Sequence, residues 1–437
     1  MTNCFRIAGG IPLSGEAVIQ GSKNAALPVM AATLLTNGVT LLHRCPRIKD
    51  VFLMQHLLES MGCQLRWEQD TVRIDTRKLP ETLQEEALVA GENAGLAARQ
   101  KSSMRSTITL LGALLGRFGS CYMDYPGGCV IGRRPIDMHL GALETMGAEF
   151  DQGEQGFRAK AEHLHGAEIF LRFPSVGVTE NVLLAAACAE GETVLHGAAR
   201  EPEVEALCGY LHLLGCKTCW ELEETGKAIL RVTPSDRLQE RREIQVEYNI
   251  PPDRIVAGTY LFACLGAGGE IYLRDAPARH LETPLEVMES MGAFVEQDKE
   301  GIYVRAPRGL KPQHIETAVY PGFPTDLQSQ LLVVLCRAEG ESTVRETVFE
   351  NRFRIVEEVN RMGGNIRVED SKAWIQGGRK LHAEAVEARE LRGGAALVIA
   401  GLMADGETRV SGRHFIERGY ENISRDLRDL GARISFE

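Results

Sequence analysis

The pattern of apolar and polar positions repeats about every 70 residues along the chain. In each copy an apolar stretch of helical length runs into a tight turn and a short strand, as in AATLLTNGVTLLH and LFACLGAGGEIYL. A second, amphipathic stretch then closes on a glycine before another apolar strand, as in LLESMGCQLRW and VMESMGAFVE. We therefore predict a unit of helix, turn, strand, helix and strand that is present in six copies.

The second helix of every copy ends at a glycine. A helix commonly ends in a residue with positive φ, which glycine adopts without a clash of a Cβ atom. We expect this backbone conformation at the six equivalent positions, which are Gly62, Gly147, Gly215, Gly292, Gly363 and Gly431.

Length and composition indicate more than one domain. The chain has 437 residues, of which 44% are apolar and 25% charged, and six units divide naturally into two groups of three. The first segment, FRIAGGIPLSGEAVIQG, is too short for a full copy, and we expect it to close a sheet of the C-terminal half. The predicted domains are residues 21–250 and, as a discontinuous second domain, residues 1–20 with 251–437.

Charge and hydropathy exclude some classes of protein. The formal net charge of −11 argues against a nucleic-acid partner bound by a global positive field. No apolar run is long enough to span a membrane and the N-terminus lacks a signal-peptide pattern, so we predict a cytoplasmic protein without a membrane partner. The eleven cysteines are scattered and resemble reduced core residues. The lone pair Cys216 and Cys219 fits a strand edge better than a metal or redox site.

Basic residues open the predicted helices, although cations are favoured at the opposite helix end. Lysine or arginine stands at this point in first and second helices alike, at Lys23, Lys49, Arg105, Arg134, Arg200, Arg254, Arg352, Arg392 and Arg418. If helix starts of both halves face one cleft, their N–H groups and side chains form a site for a highly anionic ligand with phosphate and carboxylate groups. The alternative is that each cation is solvated or paired with a neighbouring acid, as Glu201 beside Arg200 suggests.

The stretch YPGGCVIGRRPIDMHL, residues 125–140, places Cys129 on a glycine-rich loop. Arg133, Arg134 and the following helix start favour the thiolate, so we expect a reactive thiol. The alternative is an inert, buried cysteine, but the segment is polar and lacks the periodicity of a core element.

These motifs resemble the UDP-N-acetylglucosamine enolpyruvyl transferase family. GSKNAALP, PGGCVIGRRPIDMHL, FPSVGVTEN, AAREPEV, PPDRI, FPTDLQSQ, TVFENRF and ERGYENI occur in the family's order and span nearly the whole chain. The resemblance implies an α/β fold of two inside-out domains, each of three repeats around a pseudo-threefold axis, with the active site in the interdomain cleft. This agrees with the six copies found from the apolar pattern.

The implied reaction moves the enolpyruvyl group of phosphoenolpyruvate to the 3′-hydroxyl of UDP-N-acetylglucosamine. Phosphate leaves by addition and then elimination, in the first committed step of peptidoglycan synthesis. By the resemblance, Cys129 is the general acid and can hold a covalent phosphoenolpyruvate adduct. Asp326 is the base or binds the hydroxyl. From sequence alone, an aspartate after Pro-Thr also fits a helix cap.

The resemblance also implies which residues bind the two substrates, and Lys23 is implied to assist catalysis as well. For phosphoenolpyruvate they are Lys23, Asn24, Arg134, Arg352, Arg392 and Arg418. For the sugar nucleotide they are Arg105, Arg134, Pro135, Ile136, Asp137, Met138, Ser175, Val176, Gly177, Asp326 and Val348. No metal or organic cofactor is expected, because fixed cations can neutralise the developing charge.

Three positions depart from the family pattern, which often has an acid at Val256, an aspartate at Glu390 and a lysine at Phe173. Three rival functions fit the sequence less well. The shikimate-pathway enolpyruvyl transferase shares the chemistry but lacks the GGC loop and the RPIDM stretch. A non-catalytic paralogue that binds a UDP-sugar would not be expected to keep every reacting group. RNA 3′-phosphate cyclase has a related repeat but needs an RNA surface that this acidic chain does not show.

Overall fold

The computed structural model describes residues 4–82, 105–125, 135–224 and 226–436. Two compact units make up these residues. We call residues 4–20 with 252–436 the C-terminal unit, and the described residues of 21–251 the middle unit. Each unit contains helices surrounded by small β-sheets.

The α-helices of the described ranges are mostly short, in keeping with the repeated pattern. They are α1 Lys23–Ala32, α2 Lys49–Ser60, α3 Leu110–Phe118, α4 Asp137–Thr145, α5 Val176–Ala186, α6 Pro202–Leu213, α7 Asp236–Gln239, α8 Arg254–Ala267, α9 Glu282–Ser290, α10 Gln328–Leu335, α11 Val356–Arg361, α12 Leu391–Met403, α13 Arg413–Ile416 and α14 Ile423–Asp429. Short 3₁₀ helices cover Thr33–Leu35, Arg105–Thr109, Ala278–His280, Thr325–Leu327 and Arg352–Ile355.

The strands of the described ranges have three to seven residues. They are β1 Cys4–Ala8, β2 Leu13–Val18, β3 Asn37–His43, β4 Gln64–Glu68, β5 Thr71–Asp75, β6 Ser120–Asp124, β7 Glu149–Gln152, β8 Gly156–Lys160, β9 Glu168–Phe170, β10 Thr193–His196, β11 Lys217–Leu222, β12 Ala228–Thr233, β13 Glu243–Asn249, β14 Gly269–Arg274, β15 Phe294–Gln297, β16 Gly301–Arg305, β17 His314–Glu316, β18 Glu341–Arg345, β19 Ile366–Glu369, β20 Lys372–Gln376, β21 Ala385–Glu387, β22 Glu407–Ser411 and β23 Arg433–Phe436.

These strands form six sheets, one for each predicted copy. Five have four strands in the same arrangement, in which one parallel pair is followed by two antiparallel pairs, as in β17-β18-β20-β19. The sheet β6-β8-β7 has three strands in the described residues. The mixed helix and strand composition and the repeated sheets confirm the predicted α/β class.

The first strands of the chain belong to the C-terminal unit. β1 lies between β22 and β23 and is antiparallel to both, so it completes the last sheet. β2 runs parallel to β14, with Leu13 opposite Gly269 and Val18 opposite Arg274. The two ends of the chain are therefore tied together by backbone hydrogen bonds within one unit.

The apolar helices lie inside and the sheets lie outside. In the C-terminal unit α8, α10 and α12 pack against one another, and their residues are almost all buried. A helix that is apolar all round must be covered on every side, which explains why these helices are central. In the middle unit α3 packs against both α1 and α5. The strands alternate between buried and exposed positions, as expected for sheets with one wet face.

The six glycines that close the second helices all have positive φ, between 88° and 109°, so this prediction is confirmed.

None of the helices in the described ranges is long and apolar enough to cross a membrane. Of the ten cysteines described, all have free thiols and seven are buried, as predicted for reduced core residues. In the predicted strand edge Cys216 is buried and Cys219 is exposed.

Candidate active site

Asp326 in the C-terminal unit is bound by two arginines. Arg392 donates from Nε and Nη2 to Oδ2 of Asp326, at 3.1 and 2.9 Å, and Arg352 donates from Nη2 to Oδ1. The arginine side chains are only 4% and 2% exposed, whereas that of Asp326 is 24% exposed. The carboxylate is therefore fixed from the protein side and remains open towards solvent.

Local structure positions each member of this cluster. Asp326 lies in the 3₁₀ helix Thr325–Leu327 that leads into α10. Arg352 opens the 3₁₀ helix Arg352–Ile355 and also donates to Thr325 Oγ1 at 3.3 Å. Arg392 is the second residue of α12, whose N-terminus is capped by Glu390. Three separate helix starts thus bring one carboxylate and two guanidinium groups together.

Burial and charge act in opposite directions on Arg392. Burial lowers the pKa of its guanidinium, but the negative charge of Asp326 more than offsets this, so the pKa lies above its ordinary value. The Nη1 atom of Arg392 is buried and has no hydrogen-bond partner in the described structure. The guanidinium carbon lies 5.9 Å from the ring centroid of Tyr420, which covers one side of the group. A permanently charged, buried N–H donor is thus left for an anion.

Another helix start in the C-terminal unit carries Arg254. Asp253 caps α8 by accepting from the backbone N–H groups of Ile255 and Val256 at 2.8 and 3.0 Å. The guanidinium of Arg254 lies 5.6 Å from the ring centroid of Tyr320. The Asp253 carboxylate therefore stabilises the start of α8 beside the Arg254 guanidinium.

In the middle unit the Lys23 ammonium pairs with a carboxylate from the next helix. Nζ of Lys23 lies 2.8 Å from Oδ2 of Asp50, and the side chains are 13% and 4% exposed. Lys23 is the first residue of α1, and Asp50 is the second residue of α2. The Ser22 side chain caps α1 by accepting from the N–H of Ala25 at 3.3 Å.

Several of the residues predicted to line the sugar-nucleotide site lie at the starts of two helices of the middle unit. Ile136 is the N-cap of α4 and Ser175 that of α5, and neither side chain caps its own helix. Asn181 of α5 links this helix to α4 and α3, because its Nδ2 lies 2.8 Å from His139 Nδ1 and its Oδ1 accepts from Gly112 N at 2.6 Å. Arg172, in the loop before α5, pairs with Asp137 of α4.

The remaining predicted site residues form two groups: those that lie outside the described residues, and those that the structure places in a helix or loop. Cys129 and Arg134 lie outside the described residues, and for Arg105 the structure describes the backbone, which begins the 3₁₀ helix Arg105–Thr109. Asn24 follows Lys23 in α1, and Val348 is exposed in the loop after β18. Pro135, Met138, Val176 and Gly177 lie at the starts of α4 and α5.

Arg418 differs from its prediction. We expected it to open a helix, but it lies in the turn between α13 and α14, and α14 begins at Ile423 with Asn422 as its N-cap. The Asn422 side chain accepts from Arg425 N at 3.0 Å, which fixes the helix start further along the chain. Among the described residues no group of three or more His, Cys, Asp and Glu side chains is placed to hold a metal ion.

The chain matches a sequence family described as EPSP synthase (3-phosphoshikimate 1-carboxyvinyltransferase) over residues 7–427. A relative from Caldanaerobacter subterraneus, named UDP-N-acetylglucosamine 1-carboxyvinyltransferase 2, is 40% identical over 433 residues and 98% of each chain. A relative from Nitratidesulfovibrio vulgaris, named UDP-N-acetylglucosamine 1-carboxyvinyltransferase, is 41% identical over 99% of this chain and 98% of its own.

The chain belongs to the carboxyvinyltransferase family. Solved structures agree with this fold. The enolpyruvyl transferase NikO from Streptomyces tendae matches with a TM-score of 0.84 at 22% identity, over 99% of this chain and 98% of its own. EPSP synthase from Acinetobacter baumannii matches with a TM-score of 0.73 at 18% identity, over 99% of this chain and all of its own.

The structure accounts for two of the departures from the carboxyvinyltransferase pattern. Glu390 still caps α12, because it accepts from Arg392 N at 2.7 Å and from Gly393 N, and its carboxylate also lies 3.8 Å from Nη1 of Arg352. Val256 is fully buried in the core around α8, where an apolar side chain fits. Phe173 is 57% exposed, and nothing in the structure explains the aromatic ring there.

Sequence reasoning missed Asp50 and Tyr420 in this carboxyvinyltransferase. An acid in the first turn of a helix is favoured by the helix itself, so Asp50 carried no distinguishing signal. Tyr420 occurs in the quoted ERGYENI motif, but a tyrosine in such a motif is as easily a core residue. Asp50 and Tyr420 are identified as candidate site residues because each lies close to a cation, and that closeness is visible only in the folded structure.

Proposed function

We propose that this protein transfers the enolpyruvyl group of phosphoenolpyruvate to the 3′-hydroxyl of UDP-N-acetylglucosamine, with release of phosphate. This would be the first committed step of peptidoglycan synthesis. The observation that carries the proposal is the match along nearly the full chain to relatives named for the transfer to UDP-N-acetylglucosamine. The partners would be these two small molecules. Both substrates are highly charged and do not cross membranes unaided, so we assign the reaction to the cytoplasm.

The C-terminal unit supports an anionic substrate. Two buried guanidinium groups share the Asp326 carboxylate, and Arg392 keeps a buried N–H donor without a partner. A buried donor without a partner is costly, and a carboxylate or phosphate oxygen would satisfy it with a charge-assisted hydrogen bond. Phosphoenolpyruvate carries both kinds of oxygen.

The proposed chemistry assigns one group to each proton transfer. Cys129 protonates C3 of phosphoenolpyruvate while the sugar 3′-oxygen forms a bond to C2, and the Asp326 carboxylate takes the hydroxyl proton or holds the hydroxyl in place. In the second step C3 returns a proton to the Cys129 thiolate, which restores the thiol, while the bond from C2 to the phosphate oxygen breaks and phosphate leaves. Lys23, Arg352 and Arg392 stabilise the negative charge of the phosphate and carboxylate.

The remaining assignments follow the sequence motifs. Asn24, Arg134 and Arg418 would bind phosphoenolpyruvate together with the three cations above. The sugar nucleotide would bind Arg105, Arg134, Pro135, Ile136, Asp137, Met138, Ser175, Val176, Gly177, Asp326 and Val348. We also propose that the two compact units correspond to the domains 21–250 and 1–20 with 251–437.

A second candidate acceptor is shikimate 3-phosphate, because the matching family is described by the 3-phosphoshikimate reaction. The deciding experiment follows inorganic phosphate after phosphoenolpyruvate is mixed with either acceptor. We expect release that depends on UDP-N-acetylglucosamine and none above background with shikimate 3-phosphate. Release with shikimate 3-phosphate alone would replace the proposed acceptor.

The role of Cys129 has its own test. Burial raises the pKa of seven other thiols to about 12, so they should react slowly at neutral pH: Cys63, Cys121, Cys188, Cys208, Cys216, Cys264 and Cys336. The epoxide fosfomycin should alkylate Cys129, and Cys129→Ser should lose most turnover. Alkylation at one of the buried thiols, or full activity of Cys129→Ser, would remove Cys129 from the mechanism.

A further inference from the structure

The contact between Lys23 and Asp50 joins two helix starts of the middle unit. A cation at a helix N-terminus is unfavourable because the helix dipole is positive there. The Asp50 carboxylate, 2.8 Å from Nζ and almost fully buried, offsets this cost for Lys23. The same contact gives the long lysine side chain one preferred direction.

The position of Asp50 in its own helix supports a role directed at Lys23. α2 has Ile48 as its N-cap, and no side chain at that position caps the helix. Asp50 follows in the first turn, where an acid is favoured, but burial of a carboxylate to 3% exposure is not needed for a favourable dipole interaction. Its burial is accounted for by the ion pair with the Lys23 ammonium.

We infer that Asp50 is a positioning residue for the transfer reaction, which holds the Lys23 ammonium in the orientation that binds the anionic groups of phosphoenolpyruvate. This inference rests on the proposed function. Because its carboxylate would repel the anionic groups of phosphoenolpyruvate and lies 2.8 Å from Nζ of Lys23, Asp50 acts through Lys23 and not by contact with the substrate. Loss of the carboxylate removes the contact at 2.8 Å that favours one orientation of the ammonium, so binding of phosphoenolpyruvate weakens more than the chemical step slows.

Steady-state kinetics of the full chain tests this inference. We expect Asp50→Asn to raise KM for phosphoenolpyruvate about 10-fold or more and to change kcat by less than about threefold. KM for UDP-N-acetylglucosamine should stay within about twofold. Asp50→Glu, which restores the carboxylate, should recover much of the lost phosphoenolpyruvate affinity.

A double-mutant cycle shows whether Asp50 acts through Lys23. Lys23→Met should raise KM for phosphoenolpyruvate by itself, and Asp50→Asn should add no further increase in the Lys23→Met background. The double variant also lacks the buried ammonium, so it serves as the test if Asp50→Asn alone does not fold. Additive losses, or a lower KM in Asp50→Asn, would overturn the inference, since Asp50 would then act elsewhere or compete with the substrate.

Asp75→Asn is the matched structural control. Asp75 belongs to the same unit, is 7% exposed and accepts from Arg77 at 3.0 and 2.7 Å and from Arg73 at 3.1 Å. We expect this variant to lower the melting temperature without a change in KM.

If wild type releases phosphate and Asp50→Asn has an unchanged KM, the inference about Asp50 fails while the proposed function stands. If wild type releases no phosphate with UDP-N-acetylglucosamine, the proposed function fails.

Discussion

The cations of the two units are neutralised in different ways. In the middle unit one flexible lysine meets one carboxylate, and both side chains come from helix starts. In the C-terminal unit two arginines share Asp326, and the carboxylate of Glu390 lies 3.8 Å from one of them. A lysine ammonium is a compact charge on a flexible stem, whereas a guanidinium presents several donors in a fixed plane.

This difference separates two ways of preparing a site for an anion. In the C-terminal cluster two buried guanidinium groups bind one carboxylate and Arg392 keeps a spare buried donor, so the cluster can bind an anion without losing its existing hydrogen bonds. The Lys23 ammonium is a flexible group that pairs with the Asp50 carboxylate. Variants of the C-terminal cluster should therefore affect folding and catalysis together, whereas those of the lysine pair should affect mainly substrate binding.

The largest effect is expected for Asp326→Asn. Loss of the carboxylate should lower kcat by about 10²- to 10⁴-fold, the usual contribution of a general base. It should also cost about 3 kcal/mol of unfolding free energy, because two buried guanidinium groups lose their shared counter-ion. Activity assays and denaturant unfolding measure the two losses.

Glu407→Gln is the control for Asp326→Asn. Glu407 binds Arg6 in the same unit at 2.8 Å, but the two side chains are 45% and 39% exposed. An exposed pair contributes less than about 1 kcal/mol, and kinetics should not change. Equal losses of stability in the two variants, or near-normal kcat in Asp326→Asn, would contradict the role given to the buried cluster.

A smaller loss is expected when the rigid donor is replaced by a flexible one. Arg392→Lys keeps the charge but cannot make both contacts to Oδ2 of Asp326, and it lacks the spare Nη1 donor. We expect KM for phosphoenolpyruvate to rise about 10- to 100-fold, which corresponds to about 1.5 to 3 kcal/mol for hydrogen bonds to a charged group. An unchanged KM would show that the planar group is not needed.

The pH dependence of stability should separate two acids of the middle unit. Burial, and then the charges of Glu203 and Glu201, raise the pKa of Glu180 well above its ordinary value, whereas hydrogen bonds from Arg77 lower that of Asp75. Folding therefore favours protonated Glu180, and this contribution decreases as pH rises above the ordinary glutamate value. The contribution of Asp75 is lost only at lower pH, as pH falls below its ordinary value.

The free energy of unfolding, measured from pH 5 to 8, tests whether the contribution of Glu180 to stability falls as pH rises. We expect Glu180→Gln to reduce the decline of unfolding free energy with pH, which for one group is at most about 1.4 kcal/mol per pH unit. Asp75→Asn should lower stability without a change of slope in this range. A steeper decline in Glu180→Gln would reverse the assignment.

The smallest effect is expected for Glu390→Asp. The shorter acid can still cap α12 but reaches less far towards Arg352, so stability should change by less than about 1 kcal/mol and KM for phosphoenolpyruvate should rise slightly. Asn422→Ala removes the cap of α14 in the same unit and should lower stability with normal KM. A larger kinetic effect in Asn422→Ala than in Glu390→Asp would contradict this distinction.

Much of the fold could be predicted from the sequence because its periodic pattern is local. The six closing glycines and the apolar central helices follow from side-chain properties within a few residues. The cations at Lys23, Arg254 and Arg392 were also visible, since each stands where a helix would not favour it.

Their partners could not be predicted, because pairing depends on chain segments that are distant in sequence. Arg352 and Arg392 bind an aspartate that is 26 and 66 positions away in sequence. No local sequence pattern indicates that these side chains are close in the folded structure. Arg418 was misplaced because α14 starts at the later cap Asn422. For Asp50 the helix itself explains the residue type, so only its contact with Lys23 reveals another role.

We expect the cations of the Asp326 cluster and Lys23 to serve the transfer of an enolpyruvyl group to a sugar nucleotide. The most direct measurement incubates the protein with UDP-N-acetylglucosamine and ¹³C-labelled phosphoenolpyruvate and identifies the product by NMR. We predict a labelled enol ether on the 3′-oxygen of the sugar and one phosphate released per product. Labelled pyruvate with an unmodified sugar nucleotide, or label on another acceptor only, would contradict it.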